Sequence, residues 1–566
     1  MTVCKENLFT ITVGPVSSFI EGSRKMRDLY AGSFLLSYII YELLKEIDSV
    51  TFSFKNQLKV IFPEHDNNHN SVPNRIVGIT EDLDEEKQKE LGKYLEQRAL
   101  AIYKEVCTKI LSLINQKGNN SNDAYNAIWN QLNSMLHVYW TFVPLTNGYS
   151  KDYPLLVNKI NKVKSIRRFT QLRELSCRKC SLYPQFNAII GNSSKHEVMI
   201  NLMNSENAEK FRYAVKEKEQ LSAFGFLKRA MAYADIEDYD GSIKSVAYML
   251  AKHCIGEKST ESISESIDKL EEKGGIEAIF DLQNNQQLTR QEYSEECIEI
   301  ARKLYKELEG KEIKLKCYYA FVKFDGDGFG NLYKDHADIN AHKEFSRNII
   351  KFSRYVSDII QKYDGACIFA GGEDFLGFLP IENIFSALKE LRTKFQEIVK
   401  FPGYEKVLTF SAGITIAHYM EPLAEVIKFT TDMEEYAKQI DSEKDAFAIK
   451  LMKRSGEELS IRLKFGVNGD NLDLINNIGS MIMYAGTSKR IFNNLISILK
   501  PLENDDSQIP EDMVQTLIKY AVDKSELGEG HDIINVLHEL YSISKCDIRT
   551  YCNILNFLYF WIRECE

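Results

Sequence analysis

The chain has 566 residues, too many for one hydrophobic core, since cores stop growing at roughly 250–300 residues. A hydrophobic fraction of 44% and a charged fraction of 27% are those of a folded globular protein and exclude a largely disordered one. With 71 Lys and Arg against 81 Asp and Glu, the formal net charge of −10 argues against a protein that grips duplex nucleic acid through a basic face. Any RNA contact is then local or lent by partners. The cysteines are eleven, an odd number scattered along the chain; the N-terminus has no basic-then-apolar leader, and the apolar runs fall short of a membrane span. The expectation is a cytoplasmic protein with reduced thiols and no membrane contact.

The composition of Leu8 to Gly14 is that of a strand, and a long helical pattern follows from about Ser17 to Glu46. A second strand-like run covers Val50 to Phe62. After a polar loop from Pro63 to Pro73 come the apolar run Ile76 to Ile79 and a charged helix from about Asp82 to Leu113. This α+β unit ends near Trp140–Leu145 and is assigned residues 1–157. From 158 to 310 the pattern is of charged helices with connections such as Gly256–Ser266, a mostly helical middle domain. Strand composition returns at Cys317–Phe324. A helix from about Ala341 to Lys362, strands at Ala366–Ala370, Leu376–Leu379 and Val407–Ala417, and a helix at Ala424–Ile440 complete a second α+β unit, 311–460. The remainder, 461–566, reads as a C-terminal helical domain.

The sharpest chemical signal is Asp325-Gly326-Asp327-Gly328 at the end of a strand, followed later by Gly371-Gly372-Glu373-Asp374 between two strand runs. The second motif reads as a hairpin turn, in which glycine supplies the permissive backbone. Such a turn can place Glu373 and Asp374 beside Asp325 on a neighbouring strand. Phosphoryl transfer asks for carboxylates in this arrangement, because two divalent ions roughly 3.5–4 Å apart must be clamped between them. Mg²⁺ or Mn²⁺, as hard cations, take carboxylate oxygen and keep substrate phosphate as a further ligand. The glycines Gly326, Gly328, Gly371 and Gly372 let triphosphate oxygens approach the backbone. Asp327 either binds with them or braces the loop. A calcium loop starting at Asp325 is disfavoured: Gly330 fits its sixth position, but the twelfth is His336 rather than Glu.

Together these two motifs resemble the palm domain of diguanylate-type nucleotide cyclases. They resemble more closely the polymerase-like large subunit of type III-B (Cmr-type) CRISPR effector complexes. The resemblance extends to Ile11–Val16, Ser23–Ser37, Pro73-Asn74-Arg75, Ser411–Ile414, His418-Tyr419 and Lys453–Glu457, and so covers nearly the whole chain in order. It implies two palm-like domains of ferredoxin-like topology, with the helical middle and C-terminal domains around them. By resemblance the activity is synthesis of cyclic oligoadenylate from ATP when guide RNA pairs with target RNA, with other Cmr-type subunits as partners. Asp325, Glu373 and Asp374 then carry the metals and the catalysis. Some subunits of this family join ATP to S-adenosylmethionine instead, and both products stay open here. The place for a second substrate is the face of the first palm around Gly14, Ser18, Arg24, Arg27, Asp28 and Ser33, where the two arginines alternatively make ion pairs between domains.

Three departures from the family pattern stand out. The palm-like domain starts within about ten residues of Met1, leaving no room for an N-terminal HD nuclease domain, and His65-Asp66 and His531-Asp532 read as a loop and a helix start. Cys177 and Cys180 look like the first half of a zinc site, but the second half falls on Leu221–Arg229, where serine and glycine replace both cysteines. Either His253 or Cys254 completes the site or the zinc is lost. Finally, Glu373 stands where the family usually has aspartate, a change that keeps the charge. An inactive scaffold subunit is the rival reading, set against by the retention of three carboxylates that would repel one another.

Overall fold

In the computed structural model the described residues are all except 1–5, 65–71, 115–121, 167–173, 175–177, 193–198, 206, 209–210, 212–213, 217–218, 291, 485–489, 504–509, 525–530, 546 and 566. The first domain runs β1 (Asn7–Gly14), α1 (Ser17–Glu21), α2 (Met26–Asp48), β2 (Leu58–Phe62), β3 (Arg75–Thr80), α3 (Glu85–Ser112), α4 (Asn122–Met135), β4 (His137–Pro144) and α5 (Tyr149–Ser165). Its strands lie in the order β2-β3-β1-β4. Alternation along β1 divides its side chains: Phe9, Ile11 and Val13 enter the core beneath α2 and α3, while Leu8 joins Val77, Tyr153 and Leu156 beneath α5. Because α5 packs on this sheet and runs to Ser165, the expected boundary at 157 falls inside a helix.

Two expected elements are shorter than their composition suggested. The helix predicted over Ser17–Glu46 is interrupted at Gly22, where a methyl group would stand 2.2 Å from the Tyr183 ring. There the buried Lys228 ammonium donates to the carbonyls of Phe19 and Gly22 (both 2.8 Å) and to Ser23 Oγ (2.7 Å), using the carbonyls that a continuous helix would consume. The strand predicted over Val50–Phe62 begins only at Leu58, since residues 51–57 are taken up by turns.

The middle domain holds β5 (Ile190–Gly191), β6 (Ile200–Asn201) and β7 (Gln220–Leu221) in a small sheet, then α6 (Ala223–Ala230), α7 (Val246–Ile255), α8 (Glu261–Glu272), α9 (Glu277–Gln283) and α10 (Glu295–Gly310). The stretch expected as a connection, Gly256–Ser266, is in part the start of α8, capped by Thr260. The second palm follows as β8 (Tyr318–Gly326), α11 (Phe329–Asp335), α12 (Ile339–Lys362), β9 (Ala366–Gly371), β10 (Asp374–Pro380), α13 (Ile384–Ile398), β11 (Phe410–His418), α14 (Leu423–Lys438), β12 (Ala446–Met452) and β13 (Glu458–Lys464). β13 carries the domain past the expected end at 460, and α13 had no counterpart in the sequence reading.

The second sheet has the order β13-β12-β11-β8-β10-β9, with β8 antiparallel to both neighbours. Both of its faces are buried. Even-numbered residues of β8, Ala320 to Phe324, face α12, α13 and the C-terminal helices; Tyr319 and Phe321 face the middle domain and α2. The C-terminal helices are α15 (Asp470–Tyr484), α16 (Arg490–Leu499), α17 (Glu511–Asp523), α18 (His531–Ile543) and α19 (Ile548–Cys565). Trp561 anchors α19 to the palm by donating to the Ile381 carbonyl at 2.8 Å. The chain is therefore mixed α and β up to β13 and helical beyond it, as its patterning predicts.

Candidate active site

The carboxylates are placed by strand register. Phe324 stacks between Phe375 and Phe410, with ring centroids 4.9 and 4.2 Å away, which fixes β10 and β11 on either side of β8. Phe375 pairs with Phe324, so Asp374 falls opposite Asp325, and both project from the face away from the aromatic row. Gly371 and Asp374 close β9 onto β10 around the two-residue turn Gly372-Glu373, and Gly372 takes the φ of 67° that this turn requires. Gly326 lies tight against the same turn: a methyl group there would come within 2.9 Å of Glu373 Cβ.

This gathering of negative charge has electrostatic consequences. Enclosure at the domain junction, and then the charge of Asp325, raises the Glu373 carboxyl to about 7. Enclosure, Asp325 and Glu373 together raise Asp374, although its side chain still reaches solvent. A hydrogen bond with Asp325 adds to the rise at Asp374. Lys438, at the end of α14, donates to both Asp325 and Glu434, while Lys323 meets the other Glu434 oxygen at 2.8 Å. Burial works against the Lys438 ammonium, but Asp325 and Glu434 outweigh it and raise its pKa. The close seating of α14 depends on Gly413, where a methyl group would stand 2.2 Å from the Thr430 carbonyl oxygen and 2.3 Å from the Glu434 nitrogen.

Asp327 is occupied differently. Its carboxylate accepts from Thr409 Oγ1 (2.9 Å), Ser411 Oγ (2.9 Å) and the Asp445 backbone nitrogen (3.1 Å). It braces the β8 turn against β11 and β12, so its expected place among the cofactor-binding groups is corrected to a supporting one. Burial raises its carboxyl despite these donors. Gly328, in the left-handed region at φ 76°, leads into α11.

The expected second-substrate face is also corrected. Asp28 is fully buried and forms a two-point ion pair with Arg229 (2.7 and 2.8 Å), and Ser33 is buried within α2. Arg27 donates to Glu271 at 3.0 Å and to the Ile243 carbonyl at 2.9 Å, the interdomain pairing that was the alternative reading. Arg24 lines a cavity of about 150 Å³ with Tyr319 and Tyr419. Those tyrosines lie at the far end of β8 and β11 from Asp325, so these residues do not gather at the carboxylates. Ser18 is exposed on α1. Gly14 ends β1 beside the Pro73–Arg75 loop, where the Val13 nitrogen donates to the Asn74 carbonyl at 3.1 Å. This loop reaches the hairpin, since a methyl group at Gly372 would lie 3.9 Å from Pro73 Cβ. His418 and Arg454 come together at that far end, 3.5 Å apart, and support the sheet there.

Other sequence-flagged groups have ordinary partners. His253 bonds Asp364 (2.8 Å) and faces Glu382 (3.5 Å), while Cys254 accepts from the Lys316 nitrogen (3.2 Å). Cys180 is buried and accepts from the Leu182 nitrogen; Cys177, His65 and Asp66 lie outside the described residues. His531 begins α18, as predicted.

Comparison with known proteins matches residues 8–134 to the N-terminal domain of the CRISPR-associated protein Cmr2 and residues 318–448 to the second palm domain of Cas10/Cmr2. These two matches, in this order along the chain, are those of a Cmr2-type large subunit. The N-terminal match covers β1 to α4, and the palm match contains Asp325, Glu373, Asp374 and Lys438. A Cmr subunit Cmr2 of Pyrococcus furiosus is 23% identical over 564 residues, an alignment that covers 81% of this chain and 62% of the relative's length. Two type III-B Cmr-beta structures share the fold with 14% identity and 93% of this chain covered. The apo form gives a TM-score of 0.65 over 78% of that chain, and the form bound to cognate target RNA gives 0.64 over 79%. Among the described residues no helix is long and apolar enough to cross a membrane.

The residues present fit divalent cations in donor type: three carboxylates, with Asp325 raising the pKa of both Glu373 and Asp374 and with Lys438 beside Asp325 as counter-charge. Among the described residues no group of three or more His, Cys, Asp or Glu side chains is arranged to hold a metal ion.

Proposed function

We propose that this chain is a nucleotidyltransferase that makes a second messenger of the cyclic oligoadenylate type from ATP. In this reading the 3′-hydroxyl oxygen of one ATP forms a bond to the α-phosphorus of another, the bond from that phosphorus to the bridging oxygen breaks, pyrophosphate leaves, and the hydroxyl proton passes to a neighbouring base. The observation that carries the reading is the register that sets Asp325 on β8 against Glu373 and Asp374 at the β9–β10 turn. Asp325 and Glu373, with Asp374, would hold two divalent cations, whose chemistry is to neutralise the triphosphate and favour the hydroxyl's ionisation. Lys438 adds a positive charge at the same place, fixed by Glu434, and serves the charge that develops on the phosphate oxygens. Asp327 keeps the loop in shape through Thr409 and Ser411.

The chain would act inside a Cmr-type complex, in contact with other subunits and with guide and target RNA. Likeness of fold to a Cmr-beta structure bound to cognate target RNA supports this, as does a net charge of −10, which suits RNA contacts lent by partner subunits. The test is product analysis by mass spectrometry on the assembled complex with target RNA, Mg²⁺ or Mn²⁺ and ATP, with and without S-adenosylmethionine. Oligoadenylates from ATP alone, abolished by Asp325→Ala, establish the reading. A product that requires S-adenosylmethionine replaces it with the conjugate, and no product under either condition leaves a scaffold.

A further inference from the structure

Lys228 sits in α6 of the middle domain with 1% of its surface exposed, and its ammonium is enclosed by oxygen. It meets the carbonyls of Phe19 and Gly22 at 2.8 Å, the Ile20 carbonyl at 3.3 Å, Ser23 Oγ at 2.7 Å and the Tyr183 hydroxyl at 3.1 Å. The Phe19 and Tyr183 rings stand 5.4 and 5.5 Å from the nitrogen, close enough for cation–π attraction. All five oxygens are neutral. The nearby Asp28 carboxylate is taken by Arg229, which it meets at 2.7 and 2.8 Å. Burial pushes the Lys228 pKa down to about 7, although the charge of Asp28 works to raise it.

Joining two domains through a buried charge requires its desolvation, which apolar packing would avoid. The oxygens account for the charge. The break between α1 and α2 turns the carbonyls of Phe19 and Gly22 toward α6, where they are closed off from water and need a positive partner. Rings of neutral oxygen that replace a hydration shell are how proteins hold desolvated monovalent cations. Contacts of 2.7–3.3 Å exceed the roughly 2.0–2.6 Å of Mg²⁺ and Ca²⁺, which also favour carboxylates. The site has consequences beyond its own walls. Residues 19–22 end α1, which packs on α14, with Phe19, Val426 and Ile427 in one buried cluster. The last turn of α14 carries Lys438 to Asp325.

We infer that residues 19–23 and Tyr183 form a monovalent-cation site of the ammonium and potassium class, filled by the chain's own Lys228, and that Lys228 is thereby a positioning residue for Lys438. The positioning role rests on the nucleotidyl-transfer reading; the cation site does not.

The test removes the tethered ammonium and offers a free ion. Lys228→Ala empties the site, whereas Lys228→Met fills it with an uncharged stem. Thermal unfolding of the full chain is compared in ammonium, potassium and choline chloride at one ionic strength, choline being too large to enter. In choline both variants should lose roughly 5–10 °C in Tm. Ammonium or potassium should return at least half of the loss to Lys228→Ala and nothing to Lys228→Met. Adding Ser23→Ala to Lys228→Ala removes the nearest oxygen and should abolish the rescue. A Lys228→Ala chain that folds in ammonium and aggregates in choline counts as rescued, and one that behaves alike in all three salts overturns the site. In the assembled complex with target RNA and ATP, Lys228→Ala should lower kcat by about ten-fold or more in choline, with a smaller change in KM, and ammonium should restore it. A rescued Tm without a rescued rate would overturn the positioning role. Absence of product from the wild type in every salt would remove the nucleotidyl-transfer reading and the positioning role with it, while the thermal rescue still decides the cation site.

Discussion

Lys438 holds Asp325 and Glu434 at once, so the counter-charge of the leading candidate carboxylate comes from a helix that packs directly on β11 at Gly413. Removing the ammonium leaves Asp325 facing Asp374 and Glu373 without compensation. Lys438→Ala should lower kcat for nucleotide polymerisation by about 10²-fold, the scale of losing one electrostatic group aimed at developing charge. Mn²⁺ affinity should be unchanged or higher, because the lysine no longer competes for Asp325. Steady-state product assays and metal titration read the two effects separately, and a wild-type rate in this variant would remove Lys438 from the site.

In the proposed reaction Glu373 must be ionised to hold a cation, and its carboxyl is raised to about 7 by enclosure and by Asp325. Below that value a proton must leave as the cation enters. Apparent Mn²⁺ affinity should therefore climb by up to ten-fold per pH unit toward pH 7 and flatten above it. Titration followed by electron paramagnetic resonance between pH 5.5 and 8.5 measures this profile. In Glu373→Gln the affinity should fall and its pH dependence should flatten, and an unchanged slope in that variant would assign the proton elsewhere.

The carboxylate cluster was legible because each part leaves a local mark: strand composition before Asp325, glycines at a two-residue turn, and strand composition after Asp374. Helix α12 and strands β8 to β11 were legible for the same reason, since period and punctuation are local properties. Lys438 was not, being an ordinary helical lysine with a Glu four residues earlier until the fold brings it to Asp325. Arg24, Arg27 and Ser33 were misplaced for the converse reason. Nothing local to α2 announces that Asp28 pairs with Arg229, or Arg27 with Glu271, through the middle domain. Arg75 was visible only as part of a loop motif, and the lack of an acceptor for its buried Nη2 among the described residues is a property of the packed sheet.

The Asp28–Arg229 pair joins the first palm to the middle domain at two points, and Glu219 meets the same guanidinium at 2.6 and 2.9 Å. Burial opposes the ionisation of Asp28, but Arg229 outweighs it and holds the carboxyl at about 2. Asp28→Ala leaves a buried arginine half compensated and should cost roughly 3–5 kcal/mol, the range for breaking one side of a buried ion pair. Denaturant unfolding measures the loss. The double variant Asp28→Ala, Arg229→Met should recover part of it, and a loss below 1 kcal/mol in Asp28→Ala would show the pair to be dispensable.

His342 ties the two palms together. It is fully buried on α12, its Nε2 donates to the Tyr333 carbonyl at 3.0 Å, and its Nδ1 then accepts from Tyr149 on α5 of the first palm at 2.8 Å. Phe62 and Tyr153 of the first palm close round the ring. Burial lowers its pKa from 6.5 to about 4, so the folded protein keeps the imidazole neutral where the unfolded chain would protonate it. Between those values the unfolded state binds more protons, and stability rises with pH. The contribution is complete above pH 6.5 and is lost as pH falls toward 4, amounting to at most about 3.4 kcal/mol at 1.36 kcal/mol per pKa unit. Other groups titrate in the same range, so the informative quantity is a difference between proteins. His342→Phe keeps a ring in the aromatic cluster, forfeits the Tyr149 bond, and should lose less stability than the wild type between pH 7.5 and 4.5 when urea midpoints are compared. Equal losses in the two proteins would mean that protonation of His342 does not govern the acid sensitivity of the junction between the palms.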